Sequence, residues 1–211
     1  MVVFPELSLT GYELGAPAVD PGDERLVPIV DACAAAGAVA LVGAPTSDAD
    51  GEHISVLAVD GDGARLLYRK MWLSAAEAER FAPGPSPSVL TVDGWRLGVA
   101  ICKDTGVVDH ADATAACGMD VYVAGVLDSA DDATIQGARA RRISERHGVW
   151  VVVASFAGST GGGYERTAAR SRIWAPDGTL LASAGLGTGR IARATLVRTP
   201  TRPGGRRRGT G

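Results

Sequence analysis

Three side chains of this 211-residue chain, a carboxylate at Glu6, an ammonium at Lys70 and a thiol at Cys102, together have the chemistry of acyl transfer. A thiol becomes a strong nucleophile once a base takes its proton. A carboxylate can be that base, and an ammonium can hold the negative charge that grows on a substrate oxygen. Each of the three closes an apolar run. Val2-Val3-Phe4-Pro5 leads to Glu6, Leu66-Leu67-Tyr68-Arg69 to Lys70, and Leu97-Gly98-Val99-Ala100-Ile101 to Cys102. In layered α/β proteins such strand ends deliver side chains into a crevice on rigid backbone.

Taken singly, each residue has a plainer reading. A cysteine at the end of an apolar strand is ordinarily a small buried hydrophobe. Glu6 after Pro5 fits a surface loop, and Lys70 fits a solvated strand terminus. One compositional bias favours Lys70. Of the 21 Lys and Arg residues, only Lys70 and Lys103 are lysine. Arginine carries a planar fork that never deprotonates, so it does not substitute for a compact ammonium.

The elements that must position these residues alternate along the chain. Asp23 caps a helix predicted over Glu24–Ala36, which Gly37 stops. Val39–Gly43 reads as a strand. Ile54–Val59 and Ala64–Tyr68 read as a hairpin around Asp60-Gly61-Asp62-Gly63, and Val89–Val92 with Trp95–Ile101 as another. A helix over Val107–Cys117 precedes a strand over Val121–Val126. The helix over Asp131–His147 opens on aspartates and ends on His147-Gly148, with His147 answering the helix dipole. Val149–Phe156 is apolar throughout, as a strand buried on both faces would be. Ser171–Ala175 and Thr179–Ser183 form a late hairpin, and Arg190–Leu196 reads as a further edge strand. With no internal repeat or linker, this alternation predicts one α/β domain over residues 1–198, with sheet between helices.

The local sequence around the three reactive residues resembles the nitrilase superfamily of carbon–nitrogen hydrolases. Phe4-Pro5-Glu6-Leu7 with Leu9-Thr10-Gly11-Tyr12 looks like its glutamate motif. Tyr68-Arg69-Lys70, followed by Phe81-Ala82-Pro83-Gly84, resembles its lysine motif. Leu97 to Cys102-Lys103-Asp104 resembles its cysteine motif, and the three follow the family's order. The likeness runs from residue 2 to about residue 197. It departs after the cysteine, where Thr105-Gly106-Val107-Val108 replaces the family's Arg-Phe-Pro-Glu-like residues, and at Arg170, where the family has glycine.

The resemblance implies a four-layer α-β-β-α sandwich. The chain opens inside the family's second strand, so the first strand and helix are expected to be missing. It also implies a second glutamate between the lysine and the phenylalanine. Glu77 and Glu79 both fall in that window, and the family spacing of four residues before Phe81 selects Glu77, to hold Lys70 and help place substrate. The implied reaction has Glu6 as base, Cys102 as nucleophile and Lys70 with the backbone N–H of Lys103 as the oxyanion site. A small amide or carbamoyl compound passes through a Cys102 thioester, with no metal or cofactor required. A homodimer or higher homo-oligomer is expected from the family. The alternative is a non-catalytic or incomplete relative that acts as a structural or binding subunit.

Composition narrows the classes further. Apolar residues are 46% and charged residues 21%, the balance of a globular protein. A net charge of −3 offers no general attraction to nucleic acid or anionic membrane. No apolar run reaches membrane-span length, and Met1-Val2-Val3-Phe4 meets Pro5-Glu6 without a basic leader region. Three cysteines, odd in number and irregularly spaced, argue for a reducing compartment, hence cytoplasmic placement. Arg206-Arg207-Arg208 falls in a Gly/Pro-rich stretch, and residues 199–211 are expected to form a disordered basic tail. A Cys/His dyad using His110 is a weaker possibility than the strand-end set. So is a metal site from Cys102, His110 and Cys117, which lacks paired ligand spacing.

Overall fold

The computed structural model describes residues 1–198, so the expected basic tail lies outside the described residues. One sheet has the order β1-β2-β3-β4, from β1 (Val2–Val3), β2 (Ala40–Asp48), β3 (Gly51–Asp60) and β4 (Gly63–Arg69). The other has the order β10-β9-β8-β7-β6-β5. Its strands are β5 (Ser88–Val92), β6 (Trp95–Ile101), β7 (Val121–Val126), β8 (Trp150–Ser155), β9 (Arg172–Trp174) and β10 (Leu180–Ser183). The helices are α1 (Val27–Ala36), α2 (Ala75–Ala78), α3 (Val108–Ala116) and α4 (Ala133–His147).

Side-chain alternation turns these elements into four layers. Along β2, Ala40, Val42 and Ala44 pack with Leu26 and Cys33 beneath α1, while Leu41 faces the other sheet. Along β7, Val121 and Val123 face the first sheet, while Tyr122, Ala124 and Val126 meet Ala140 and Ile143 of α4. The layers are therefore α1, sheet, sheet, and α3 with α4. The middle seam joins Leu41, Ile54 and Val56 to Leu97, Val99 and Val123. Each such side chain contributes about 1.5–3 kcal/mol by leaving water, so the seam fixes the two sheets against each other. Among the described residues, no helix is long and apolar enough to cross a membrane.

Local signals account for most boundaries. Gly37 and Gly148 end α1 and α4 with φ of 56° and 62°, the left-handed conformation glycine adopts without strain. The predicted Asp23-capped helix begins instead as a 3-10 turn, Glu24–Leu26, whose Arg25 N–H donates to Asp23. The α-helix starts at Val27, where Pro28 fits the first turn because no N–H is needed there.

One expected element is corrected. Arg190–Leu196 forms no strand. Exposure alternates along residues 191–196 as in a strand, with Leu196 packed on the middle seam, but no ladder hydrogen bonds form. Alternation sets which side chains face inward; a strand also needs a neighbouring backbone edge in register, which this segment lacks among the described residues. Beyond it, Arg198 Nη2 donates to Asp120 Oδ2 at 3.1 Å, and its guanidinium lies over Trp95.

Candidate active site

Each reactive residue arrives just past a strand, by a different route. Lys70 follows β4 directly, and its N–H extends the ladder by donating to Ile54 O at 2.8 Å. Gly84 N–H donates to Lys70 O, and a side chain at Gly84 would meet Arg69 O at 2.3 Å, so only glycine lets the two segments lie so close. Cys102 follows β6 and opens a 3-10 turn, Cys102–Gly106, at a φ of 41°. That left-handed backbone is strained for a cysteine and breaks the strand so that the thiol points off its end.

Glu6 is delivered less simply. The strand run expected before it is only β1, and Glu6 lies three residues beyond its end. It sits instead on a tight turn between the sheets, followed by Leu7 at a φ of 48°. Glycines flank this turn from both sides. A Cβ on Gly43 of β2 would stand 2.4 Å from Leu7 N, and one on Gly125 of β7 would stand 2.7 Å from Phe4 O and 3.0 Å from Glu6 N. The Glu6 backbone is thus held by close approach of two strands, one from each sheet.

The three sequence-predicted acidic and basic residues meet in one buried cluster. Glu6, Lys70 and Glu77 are each no more than 2% exposed, which excludes a surface loop carboxylate or a solvated lysine. Lys70 Nζ donates to Glu6 Oε1 at 2.6 Å and to Glu77 Oε1 at 2.7 Å. Tyr12 Oη donates to the same Glu77 oxygen at 2.6 Å. Glu77 Oε2 accepts the Ser74 N–H at 2.7 Å, and Ser74 accepts from Glu77 N–H in return, which closes a capping box on α2. Glu79, the other candidate, is exposed. Glu6 Oε2 is buried and, among the described residues, meets no donor in hydrogen-bond geometry, although the Cys102 thiol is near enough to lower Glu6.

Environment separates the two carboxylates. Burial raises Glu6 to about 7, the Glu77 charge adds to the rise, and Lys70 offsets it only in part. Burial acts on Glu77 in the same direction, but Lys70, Tyr12 and the Ser74 N–H outweigh it and hold Glu77 below the usual range. Burial would lower Lys70, yet the surrounding Glu6, Cys102 and Glu77 hold it well above the ordinary lysine value. Cys102 is half-buried as a residue, but its sulfur lies deep, and burial with the nearby Glu6 charge pushes the thiol well above its ordinary value against the pull of Lys70. The arrangement therefore holds a fixed cation, a fixed anion, a neutral thiol and one carboxylate poised near neutrality.

The thiol donates to Leu127 O at 3.1 Å, just past β7. The next residue, Asp128, accepts from Gln136 Nε2 at 2.9 Å. The sequence motifs do not single out Leu127 or Asp128, although the strand-end rule applied to Val121–Val126 points to them, and they include Tyr12 without a role of its own. The Lys103 side chain turns to Leu73 O, while its backbone N–H is the first beyond Cys102 in the 3-10 turn. His110 makes no dyad with the thiol; its two ring nitrogens meet the Tyr68 and Tyr122 hydroxyls. Cys117 is exposed at the end of α3, and among the described residues no group of three or more His, Cys, Asp or Glu is placed to hold a metal ion. Arg170 has a φ of 56°, a backbone geometry that glycine takes without cost. An open cleft of about 290 Å³ lies between Ser129–Asp131 and Gly162–Arg166. Its Tyr164 packs edge-on against Tyr12 at 5.4 Å, which links the cleft to the buried cluster.

Comparison with known proteins bears on the family and the fold. A sequence model described as carbon–nitrogen hydrolase matches residues 1–203. Over 203 residues the chain is 32% identical to a Pseudomonas protegens protein named as a hydrolase in the pqqF 5' region, covering 88% of this chain and 68% of that one. Among solved structures, the NitN amidase of Nesterenkonia sp. AN1 superposes with a TM-score of 0.80 at 20% identity, covering 92% of this chain and 79% of that chain. Saccharomyces cerevisiae Nit3, of branch 10 of the nitrilase superfamily, superposes with a TM-score of 0.79 at 20% identity, covering 91% and 75%. At such identities these structural likenesses speak for the fold.

Proposed function

The chain belongs to the carbon–nitrogen hydrolase family, and from that premise we propose that it hydrolyses a non-peptide carbon–nitrogen bond of a small amide or carbamoyl compound through a thioester on Cys102. The observation that carries this reading is the division of one ammonium between two carboxylates. Lys70 satisfies one oxygen of Glu6 and leaves Oε2 buried with no other donor in hydrogen-bond geometry among the described residues, beside the protonated Cys102 thiol that acts on the carboxylate. Glu77 has both oxygens engaged and serves as a permanent counter-ion.

In the proposed reaction Glu6 takes the Cys102 proton as sulfur attacks the carbonyl carbon. The carbonyl π electrons move to oxygen. Lys70 and the Lys103 backbone N–H receive that charge, and one such donor contributes about 3 kcal/mol to the transition state. The carbon–nitrogen bond then breaks, and Glu6 returns the proton to the departing ammonia or amine. Water, deprotonated by Glu6, attacks the thioester, releases the carboxylic acid and restores the thiol. The cluster is buried, and the lower dielectric there strengthens each of these charge interactions relative to bulk water.

A panel of small amides, ureido acids and nitriles, assayed for ammonia release with wild type and Cys102→Ala, tests the reading. Wild type is expected to turn over members of the amide or ureido classes and to show an acyl mass increment on Cys102 after acid quenching. Cys102→Ala is expected to fold and to release nothing. Ammonia release by folded Cys102→Ala at the wild-type rate overturns it.

A further inference from the structure

Behind the cysteine turn runs a buried polar chain that the proposed reaction does not use. His110 of α3 is fully buried. Its Nδ1 lies 2.9 Å from Tyr122 Oη of β7, and its Nε2 lies 3.0 Å from Tyr68 Oη of β4. Tyr68 Oη in turn lies 2.8 Å from Asp104 Oδ2. The Asp104 carboxylate also accepts the Ile101 N–H at 2.9 Å and the Trp72 N–H at 3.0 Å. The Trp72 indole stands edge-on to the His110 ring at 5.5 Å.

Burial raises Asp104, while His110 and the Ile101, Tyr68 and Trp72 donors pull it back; with the carboxylate ionised, one proton arrangement satisfies every member of this chain. An ionised Asp104 only accepts, so Tyr68 donates to it. Tyr68 then has no proton left for His110 and accepts from Nε2–H. Nδ1 of a neutral ring is the remaining acceptor, and Tyr122 O–H fills it. Burial holds His110 below its ordinary value, against the pull of Asp104, which keeps the ring neutral. The titratable groups that face the ring are Tyr68 from β4, Asp104 from the 3-10 turn and Tyr122 from β7. Arg142 of α4 acts on Tyr122 and donates to Thr105 O.

The position of Asp104 gives this chain a consequence for the site. One of its oxygens holds Ile101, the residue before Cys102; the other holds Trp72, two residues after Lys70. A single carboxylate thus ties the nucleophile's turn on one sheet to the lysine's strand end on the other. Apolar side chains of equal volume would cover this part of the sheet without desolvating four polar groups, so stability alone does not call for the chain.

We propose that His110 is a positioning residue: by fixing the Tyr68 hydroxyl on Asp104 it sets the spacing between the Cys102 turn and the Lys70 ammonium. The proposal rests on Cys102 being the nucleophile. It extends that reading to a residue that touches neither substrate nor thiol.

The test compares His110→Leu, Tyr68→Phe and their double variant, with Tyr122→Phe as a single-atom change at the far end. Three quantities are read: kcat and KM on a panel substrate, the rate of Cys102 alkylation by iodoacetamide across pH with Cys117 as internal control, and thermal unfolding. Each single variant is expected to lower kcat roughly 10- to 100-fold, as expected when a reacting group shifts by a fraction of an ångström to an ångström. KM should change little, and the Cys102 alkylation profile should move while that of Cys117 does not. The double variant should be no worse than Tyr68→Phe alone, because His110 acts through that hydroxyl. Folded variants with wild-type kcat and an unmoved Cys102 profile overturn the proposal, as do losses that simply add. If His110→Leu does not fold, Tyr68→Phe and Tyr122→Phe decide, since each removes one oxygen only. Alkylation reads the thiol without any substrate, so the positioning role stands or falls separately from the amide-hydrolysis reading.

Discussion

Glu6 and Lys70 meet through a single oxygen: Nζ lies 2.6 Å from Oε1, while Oε2 is buried and, among the described residues, has no donor in hydrogen-bond geometry, with the Cys102 thiol near enough to act on the carboxylate. An unsatisfied buried acceptor costs about 1–3 kcal/mol, so a site built only for stability would pair it. Glu77, bound to the same ammonium, has Tyr12 and the Ser74 N–H as further donors. Two carboxylates on one cation thus differ in their remaining donors and in the direction their acidity is pushed, which is the contrast on which the proposed roles of base and counter-ion rest.

The first prediction concerns pH. Glu6 titrates at about 7, and only its ionised form can take the thiol proton. We expect kcat/KM to climb with pH through about 7 and then level. Stability runs the other way. The folded value lies above the ordinary 4.5, so folding favours the protonated form. That contribution is full below pH 4.5 and is lost as pH rises through 7. Glu6→Gln cannot ionise; it should lose turnover yet gain thermal stability over wild type at pH 8 more than at pH 5. Equal Tm differences at the two pH values would remove the ionised buried Glu6 from the account.

Glu77→Gln should move the acid limb of the pH profile downward. The Glu77 charge raises Glu6, and it also competes for Lys70; without it both effects favour Glu6 ionisation. A kcat loss of roughly 10- to 100-fold is expected as the ammonium loses its second anchor. Glu79→Gln, at an exposed position, should stay within about 0.5 kcal/mol of wild-type stability and keep its activity. Matching pH–rate profiles for wild type and Glu77→Gln count against the shared-cation reading.

Lys70→Arg keeps the charge but not the shape. Lys70 is 1% exposed, with carboxylates at 2.6 and 2.7 Å, so the guanidinium's larger fork has nowhere to go. Steady-state assays should show kcat reduced about 10²- to 10³-fold, the range for losing one oxyanion donor. Normal kcat in this variant would take Lys70 out of the mechanism.

Gly125→Ala adds one methyl where Phe4 O would be 2.7 Å away. The atom it meets is backbone, so the Glu6 turn must move. Overpacking of this kind costs about 1–3 kcal/mol, and the same displacement should depress kcat. Thermal unfolding and kcat measured together check this; a variant with both unchanged would show that the turn accommodates the methyl.

Much of this protein is determined along the chain. The hairpin at Asp60-Gly61-Asp62-Gly63, the left-handed stops at Gly37 and Gly148, and the apolar runs of β6, β7 and β8 follow from neighbours a few residues apart, which is where turn chemistry and side-chain periodicity operate. The choice of Glu77 comes from the family resemblance; the same local reading brings Lys70 and Cys102 to strand ends but places Glu6 on a strand that stops three residues short of it. It overreaches at Arg190–Leu196, where alternation is present but no ladder forms. Packing between sheets decides the rest. Lys70 and Glu6 are 64 residues apart, and Tyr68 and His110 are 42 apart. Which carboxylate oxygen stays free, which glycines press on the Glu6 turn and which hydroxyls fill both nitrogens of His110 depend on distances across the sandwich. Those distances, and the burial that raises Glu6 while Glu77 stays low, arise only when the two sheets close on each other, because hydrogen bonding and desolvation act through space rather than along the chain.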